Sequence, residues 1–333
     1  MTANAVRAWL LIAILAPAFL VAASALAQSD DEIIQLARKA ERGSTEAGSE
    51  LERIAQGGNT LAEHHMGLLY LSGRTVLRNE ALAIEWFERA AKKGNLESAH
   101  NLGVIYERSR GAERNPRNAV RWYEFAAQRG LARSQSNLAH LLAEGSGTLQ
   151  DLPQARMWLE RAVAQNEPRG QYLLGSMLLQ GRGVERNEAE GWRLIHAAAQ
   201  GGDIDAQYKL ALAYGNGTGV QKDDARALEW LRKAANAGQA EAQYLLGAIY
   251  ARGLQGLPKN EAEGAKWLRR SAEQGYAEAE FALGLAYLDG RGVARDPEQA
   301  ARWVTRAAKK GHKGAEQLLS RAQAQPPPRE APR

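Results

Sequence analysis

Ala242-Gln-Tyr-Leu-Leu-Gly-Ala-Ile-Tyr250, with Trp230-Leu-Arg-Lys-Ala-Ala235 ahead of it, is the stretch whose reading decides the fold. Both halves recur. Seven times a segment resembling A-x-x-x-L-G-x-x-Y is followed by a turn, an Asn or Asp, and then a stretch resembling A-x-x-W-x-x-x-A-A. The register position is occupied by Ala62, Ser98, Ser134, Gly170, Ala206 and Ala242 at intervals of 36 residues, and by Ala279 after 37. The extra residue falls in the turn around Gly253 to Pro258, where an insertion leaves helices undisturbed. A period of this length implies stacked supersecondary units rather than one globular core, and such a stack presents a long surface to another molecule.

Each unit reads as two antiparallel helices. In the first, Ala242, Leu246, Gly247 and Tyr250 share one packed face. A glycine inside a helix costs about 1 kcal/mol relative to alanine. Gly67, Gly103, Gly175, Gly247 and Gly284 nevertheless recur there, with Ala139 and Ala211 in the other two units, so a neighbouring helix is expected to approach closely. The turns carry G-x-G (Gly145/Gly147, Gly181/Gly183, Gly217/Gly219, Gly290/Gly292), which suits positive φ. Asn79, Asn115, Asp151, Asn187, Asp223, Asn260 and Asp296 then stand as N-caps of the second helix. That helix carries Trp86, Trp122, Trp158, Trp230, Trp267 or Trp303 and stops at a glycine, with Asn166 standing in once. One unit departs: Trp192 lies two residues early and Leu194 takes the register position. Two residues rotate a helix by about 200°, so Trp192 leaves the usual groove, either as an exposed contact residue or packed on a neighbouring helix.

The ends differ from the middle. Residues 1–27 hold one charge, Arg7, an apolar run from Trp9 to Ala23, and Ala25-Leu26-Ala27. This reads as a secretory signal peptide cut after Ala27, with an uncleaved anchor as the alternative. Residues 28–58 are expected to form a capping helix pair, about Asp31–Arg42 and Ser49–Gln56. Residues 59–312 hold the seven repeats, 313–324 a capping helix, and 325–333 a proline-rich tail expected to be disordered. There is no cysteine, which removes disulfides, thiolate ligands and cysteine nucleophiles together. The net charge of +5 falls by one without Arg7, a mild excess that does not point to nucleic acid.

Ala242-Gln-Tyr-Leu-Leu-Gly-Ala-Ile-Tyr250, Gly217-Thr-Gly-Val220 and Trp230-Leu-Arg-Lys-Ala-Ala235 resemble Sel1-like repeats, relatives of the tetratricopeptide repeats, over about residues 58–321. The resemblance implies an all-α fold, a right-handed α/α solenoid with a concave inner face. It also implies that the residue two before the Leu-Gly pair lines that face: His64, His100, Ser136, Tyr172, Tyr208, Tyr244 and Phe281. One turn earlier stand Leu61, Glu97, Arg133, Arg169, Asp205, Glu241 and Glu278. Tyr172, Tyr208, Tyr244 and Phe281 are therefore the candidate stacking contacts for a protein or peptide partner, with Asp205, Glu241 and Glu278 as its charge partners. The other reading of the same aromatics is ordinary packing between repeats.

Little in the sequence points to chemistry. Gly215-Asn-Gly217-Thr-Gly219 follows a helix and lacks the spacing of a phosphate loop. Lys92-Lys93 and Lys309-Lys310 precede a capping glycine and read as solvated helix ends that offset the helix dipole. His64, His65, His100 and His140 lie in successive units with no carboxylate clearly placed to complete a zinc site, so neither a metal nor a cofactor is expected. Some secreted proteins of the family the chain resembles act on β-lactams. Those are cysteine-rich, whereas this chain has no cysteine and no S-x-x-K, K-T-G or G-x-S-x-G. The expectation is an exported, periplasmic or secreted, noncatalytic scaffold or regulator that binds an envelope or sensor protein. A cell-wall-related enzyme or a muropeptide- or β-lactam-binding protein is the alternative.

Overall fold

The computed structural model describes residues 29–109 and 114–324; the expected signal segment and proline-rich tail lie outside them. Among the described residues there are seventeen helices and no strand. The chain divides into two compact units at Ala162/Val163. The first holds α1 (Asp30–Glu41), α2 (Thr45–Gln56), α3 (Thr60–Ser72), α4 (Glu80–Lys92), α5 (Leu96–Arg108), α6 (Pro116–Gln128), α7 (Ala132–Glu144) and most of α8 (Leu152–Ala164). The second holds α9 (Pro168–Gln180), α10 (Glu188–Gln200), α11 (Ile204–Asn216), α12 (Asp224–Asn236), α13 (Ala240–Arg252), α14 (Glu261–Glu273), α15 (Ala277–Asp289), α16 (Pro297–Lys309) and α17 (Lys313–Ala324). Within each unit, helix follows helix in antiparallel pairs, as the period requires.

Local chemistry sets the helix ends. All seven Asx residues cap as expected, each accepting a backbone N–H at 2.9–3.2 Å. The second helices end on left-handed residues, Gly94 to Gly311 at φ 82–101° and Asn166 at 58°. In the turn after α11, Gly217 (φ 72°) and Gly219 (φ 71°) both need the left-handed region. The first helices are capped too, by Asn59, Asn95, Glu167, Asp203 and Gln239. The N-terminal pair begins earlier than expected: Ser44 accepts the Ala47 N–H and starts α2 at Thr45 rather than at Ser49.

The recurring glycine is a packing device. A Cβ on Gly67 would stand 2.6 Å from the Phe87 ring, and one on Gly103 would enter the ring of the fully buried Tyr123. Where the second helix also carries a glycine the two backbones meet. A Cβ on Gly175 would lie 2.8 Å from the Gly191 carbonyl, and one on Gly247 would lie 3.0 Å from the Gly264 carbonyl. Buried alanine pairs such as Ala90/Ala91 and Ala234/Ala235 seat each second helix against its neighbours. A cation three residues after the tryptophan covers its ring in five repeats, at 4.1–4.7 Å from the ring centroid.

One expectation needs correcting. Lys93 and Lys310 are not simply solvated helix ends. Lys93 binds the fully buried Glu63 carboxylate at 2.9 Å and the Gly58 carbonyl at 2.8 Å. Lys310 does the same with Glu280 and the Gly275 carbonyl, at 2.8 and 2.6 Å. Arg89 and Arg306 complete the two clamps, at 3.0 and 2.8 Å. In the repeat of α13 and α14 the same places hold a neutral version, Gln274 donating to Gln243 Oε1 and to the Gly238 carbonyl, each at 2.8 Å. Trp192, left open in sequence, packs: its indole lies against Gly219 of the following repeat's turn, so closely that no Cβ would fit there.

Candidate functional site

The aromatic lane falls into different environments along the chain. In the first unit, His64 and His100 occupy it, each with Nδ1 on a serine of the next repeat: Ser98 Oγ at 2.9 Å and Ser134 Oγ at 3.0 Å. Burial holds both imidazoles down at about pKa 4, with His65 adding to the effect at His64 and Arg133 at His100. In the neighbouring lane Glu97 pairs with Arg133 of the next repeat.

In the second unit, Tyr172 is half-buried and enclosed by charge. The Arg169 guanidinium lies 5.2 Å from its ring centroid and the Lys209 ammonium 5.8 Å. Arg169 is already committed, at 2.5 Å to Asp205 and 3.7 Å to the N-cap Asp203. Asp205, one of the three candidate charge partners, therefore already faces a cation of its own chain. Farther on, Tyr244 packs on Tyr276 with ring centroids 5.5 Å apart and planes at 59°. Burial first, then the carboxylates of Glu278 and Glu241 and the hydroxyls of Tyr208 and Tyr244, push the Tyr276 phenol up to about 12. Glu241 also raises Tyr208, after burial. Phe281 turns instead to the last turn, its ring 4.4 Å from that of His312 at 33°.

The structure thus sets Tyr244 against Tyr276, with Tyr208, Glu241 and Glu278 within electrostatic range of that phenol, while Asp205 pairs with Arg169 and Phe281 stacks on His312. Glu241 and Glu278 form no ion pair among the described residues, so two carboxylates face a phenol-lined patch with no cation. Tyr276 was missed in sequence. Its signal was partly legible as a departure: it stands where Asn59, Asn95, Glu167, Asp203 and Gln239 cap five other first helices, and like Leu131 before α7 it makes no side-chain cap. Chemically the patch can stack apolar groups and attract a cation. Among the described residues no group of three or more His, Cys, Asp or Glu is placed to hold a metal ion. No helix among them is long and apolar enough to cross a membrane.

Comparison with known proteins agrees with this layout. The Sel1 repeat family profile matches seven consecutive segments, residues 60–95, 96–131, 132–167, 168–203, 204–239, 240–276 and 277–312. A Sel1 repeat protein from Oxalobacter formigenes is similar at 32% identity and TM-score 0.60, covering 88% of this chain and 86% of its own. A protective antigen present in uropathogenic Escherichia coli strains, displaying the same repeat fold, is similar at 34% identity and TM-score 0.55. That match covers 82% of this chain, which spans only 58% of the antigen. No curated protein matches the chain.

Proposed function

The chain belongs to the Sel1 repeat family, whose members generally mediate protein–protein interaction, and from that premise we propose that it is an exported, noncatalytic scaffold that binds a protein or peptide segment on its concave face. The observation that carries this is the patch in the second unit. Glu241 and Glu278, without cations of their own, flank Tyr208, Tyr244 and Tyr276. A bound segment places a basic group against the two carboxylates and apolar groups on the rings.

The test compares capture from bacterial envelope extract by the parent and by a Glu241→Lys/Glu278→Lys variant. Glu278 is exposed and Glu241 partly so, and neither is held in an ion pair among the described residues; circular dichroism checks that helicity is kept. A partner held by the parent and lost by the variant supports the site; a partner held equally by both removes it. Export is read separately, by N-terminal sequencing of the protein from the periplasmic fraction. A mature chain starting at Gln28 agrees with cleavage after Ala27, and retention of Met1 contradicts it.

A further inference from the structure

Between α13, α14 and α15 lies an open cavity of about 520 Å³ floored by Tyr244, Ala248, Leu268, Ala282 and Leu285. Ala265 helps to open it. Two positions before the register residue stand Ile84, Val120, Arg156, Trp192 and Leu228 in five of the other repeats, but alanine here and, as Ala301, in the last repeat. A comparable groove beside α11 is lined by the Trp192 indole and is smaller, about 380 Å³. The rim of the larger cavity holds the pairs Lys259–Glu261 and Arg291–Asp289, each at 2.7 Å. The fifth charged residue, Arg252, has no ion-pair or hydrogen-bond partner among the described residues.

Glu241, Tyr244, Ala248 and Arg252 lie along one stripe of α13, separated by three or four residues. At 1.5 Å per residue, Glu241 and Arg252 stand about 16 Å apart along the axis. The stripe therefore runs from unpaired carboxylates (Glu241 and Glu278) through an apolar hole to an unpaired guanidinium. An extended chain rises about 3.3 Å per residue, so five residues bridge that distance.

Resting on the scaffold reading above, we infer that this groove takes an extended peptide segment carrying a basic and an acidic side chain about five residues apart with a large apolar side chain between them. The basic group meets Glu241 and Glu278, the apolar side chain fills the space that Ala265 leaves, and the acidic group meets Arg252. The charge complement and the hole together select this occupant, since a uniformly basic or uniformly acidic segment would bring like charge to one end of the stripe.

The test uses two fluorescein-labelled hexapeptides, acetylated and amidated, of sequence Lys-Ser-Ser-Leu-Ser-Glu and its reverse, because the chain direction in the groove follows from which of them binds. Fluorescence anisotropy is read with the parent, with Ala265→Trp, which fills the hole as Trp192 does in the neighbouring groove, and with Arg252→Glu. Circular dichroism establishes that helicity is kept. The expected result is binding of one hexapeptide by the parent, weakened about tenfold when its Leu is replaced by Ser or when Trp occupies position 265. Arg252→Glu weakens it likewise, and a peptide with Lys in place of its Glu restores binding to that variant. Equal affinity for all three proteins overturns the inference, as does absence of binding by either hexapeptide at millimolar concentration. If a captured envelope partner responds to Glu241→Lys/Glu278→Lys but not to Ala265→Trp or Arg252→Glu, the scaffold reading stands and this groove assignment falls.

Discussion

Lowering the pH from 7 to 5 is expected to loosen the first unit through two histidines. His64 on α3 and His100 on α5 are held at about pKa 4 by burial, against 6.5 in a solvated chain. As the pH falls through 6.5 the unfolded chain takes up a proton that the folded chain refuses, so stability drops until the folded value is reached and is flat below it. At pH 5 this linkage amounts to about 2 kcal/mol per histidine, and about 3 to 4 kcal/mol for the pair relative to pH 7. The perturbation that isolates it is His64→Gln/His100→Gln, which keeps a polar group opposite Ser98 and Ser134 but does not titrate. His65, also lowered by burial and opposed by Glu41, remains in both proteins, so only its coupling to His64 differs between them. The assay is amide hydrogen exchange in α3 and α5 at pH 7 and pH 5, corrected for intrinsic rates. Protection in the parent should fall by about 3 kcal/mol more than in the variant. A difference below about 1 kcal/mol would refute the reasoning that burial, rather than the serine hydroxyls, governs these imidazoles.

Three further outcomes follow from packing and caps. Gly103→Ala forces a methyl into the ring of buried Tyr123 and should cost about 1–3 kcal/mol in urea unfolding, whereas Ala139→Gly makes no clash and should cost about 1 kcal/mol through helix propensity and the lost buried methyl. Glu63→Ala strips the carboxylate from Arg89 and Lys93. Because both cations are partly exposed and can rehydrate, the loss should be about 2 kcal/mol, read as a lower melting temperature. Asn166→Gly relieves the one non-glycine left-handed residue that ends a second helix and should stabilise by up to about 1 kcal/mol, while Asn166→Val should destabilise.

The family was legible because its signature is local. A left-handed φ demands glycine or asparagine, and a helix N-terminus rewards an Asx oxygen. A backbone closing on a neighbour excludes a side chain, whichever repeat it occurs in. The histidine lane was partly legible as well: His64 and His100 occur where the next register position is Ser98 or Ser134, and Tyr172, Tyr208 and Tyr244 occur where it is Ala206, Ala242 or Ala279. The lysines were read as solvated ends because their acceptors, Glu63 and Glu280, lie thirty residues away.

What the sequence by itself determined is the repeat, its register, its helix boundaries and the row of positions from which a site could be built. Which members of that row are free was decided only by tertiary structure. Arg169 could have reached solvent, but its guanidinium spans to Asp205 one repeat on and removes that carboxylate from the candidate surface. Glu241 and Glu278 find no such cation, and Tyr276 comes from the following turn to join them. Trp192 and Ala265 hold one position in two repeats, yet the groove lined by the indole is about 380 Å³ and the one lined by the methyl about 520 Å³. Local backbone geometry is fixed by a residue and its immediate neighbours, so a single chain reveals it. Charge pairing and cavity volume depend on side chains brought together from successive repeats, and those meet only when the helices have stacked.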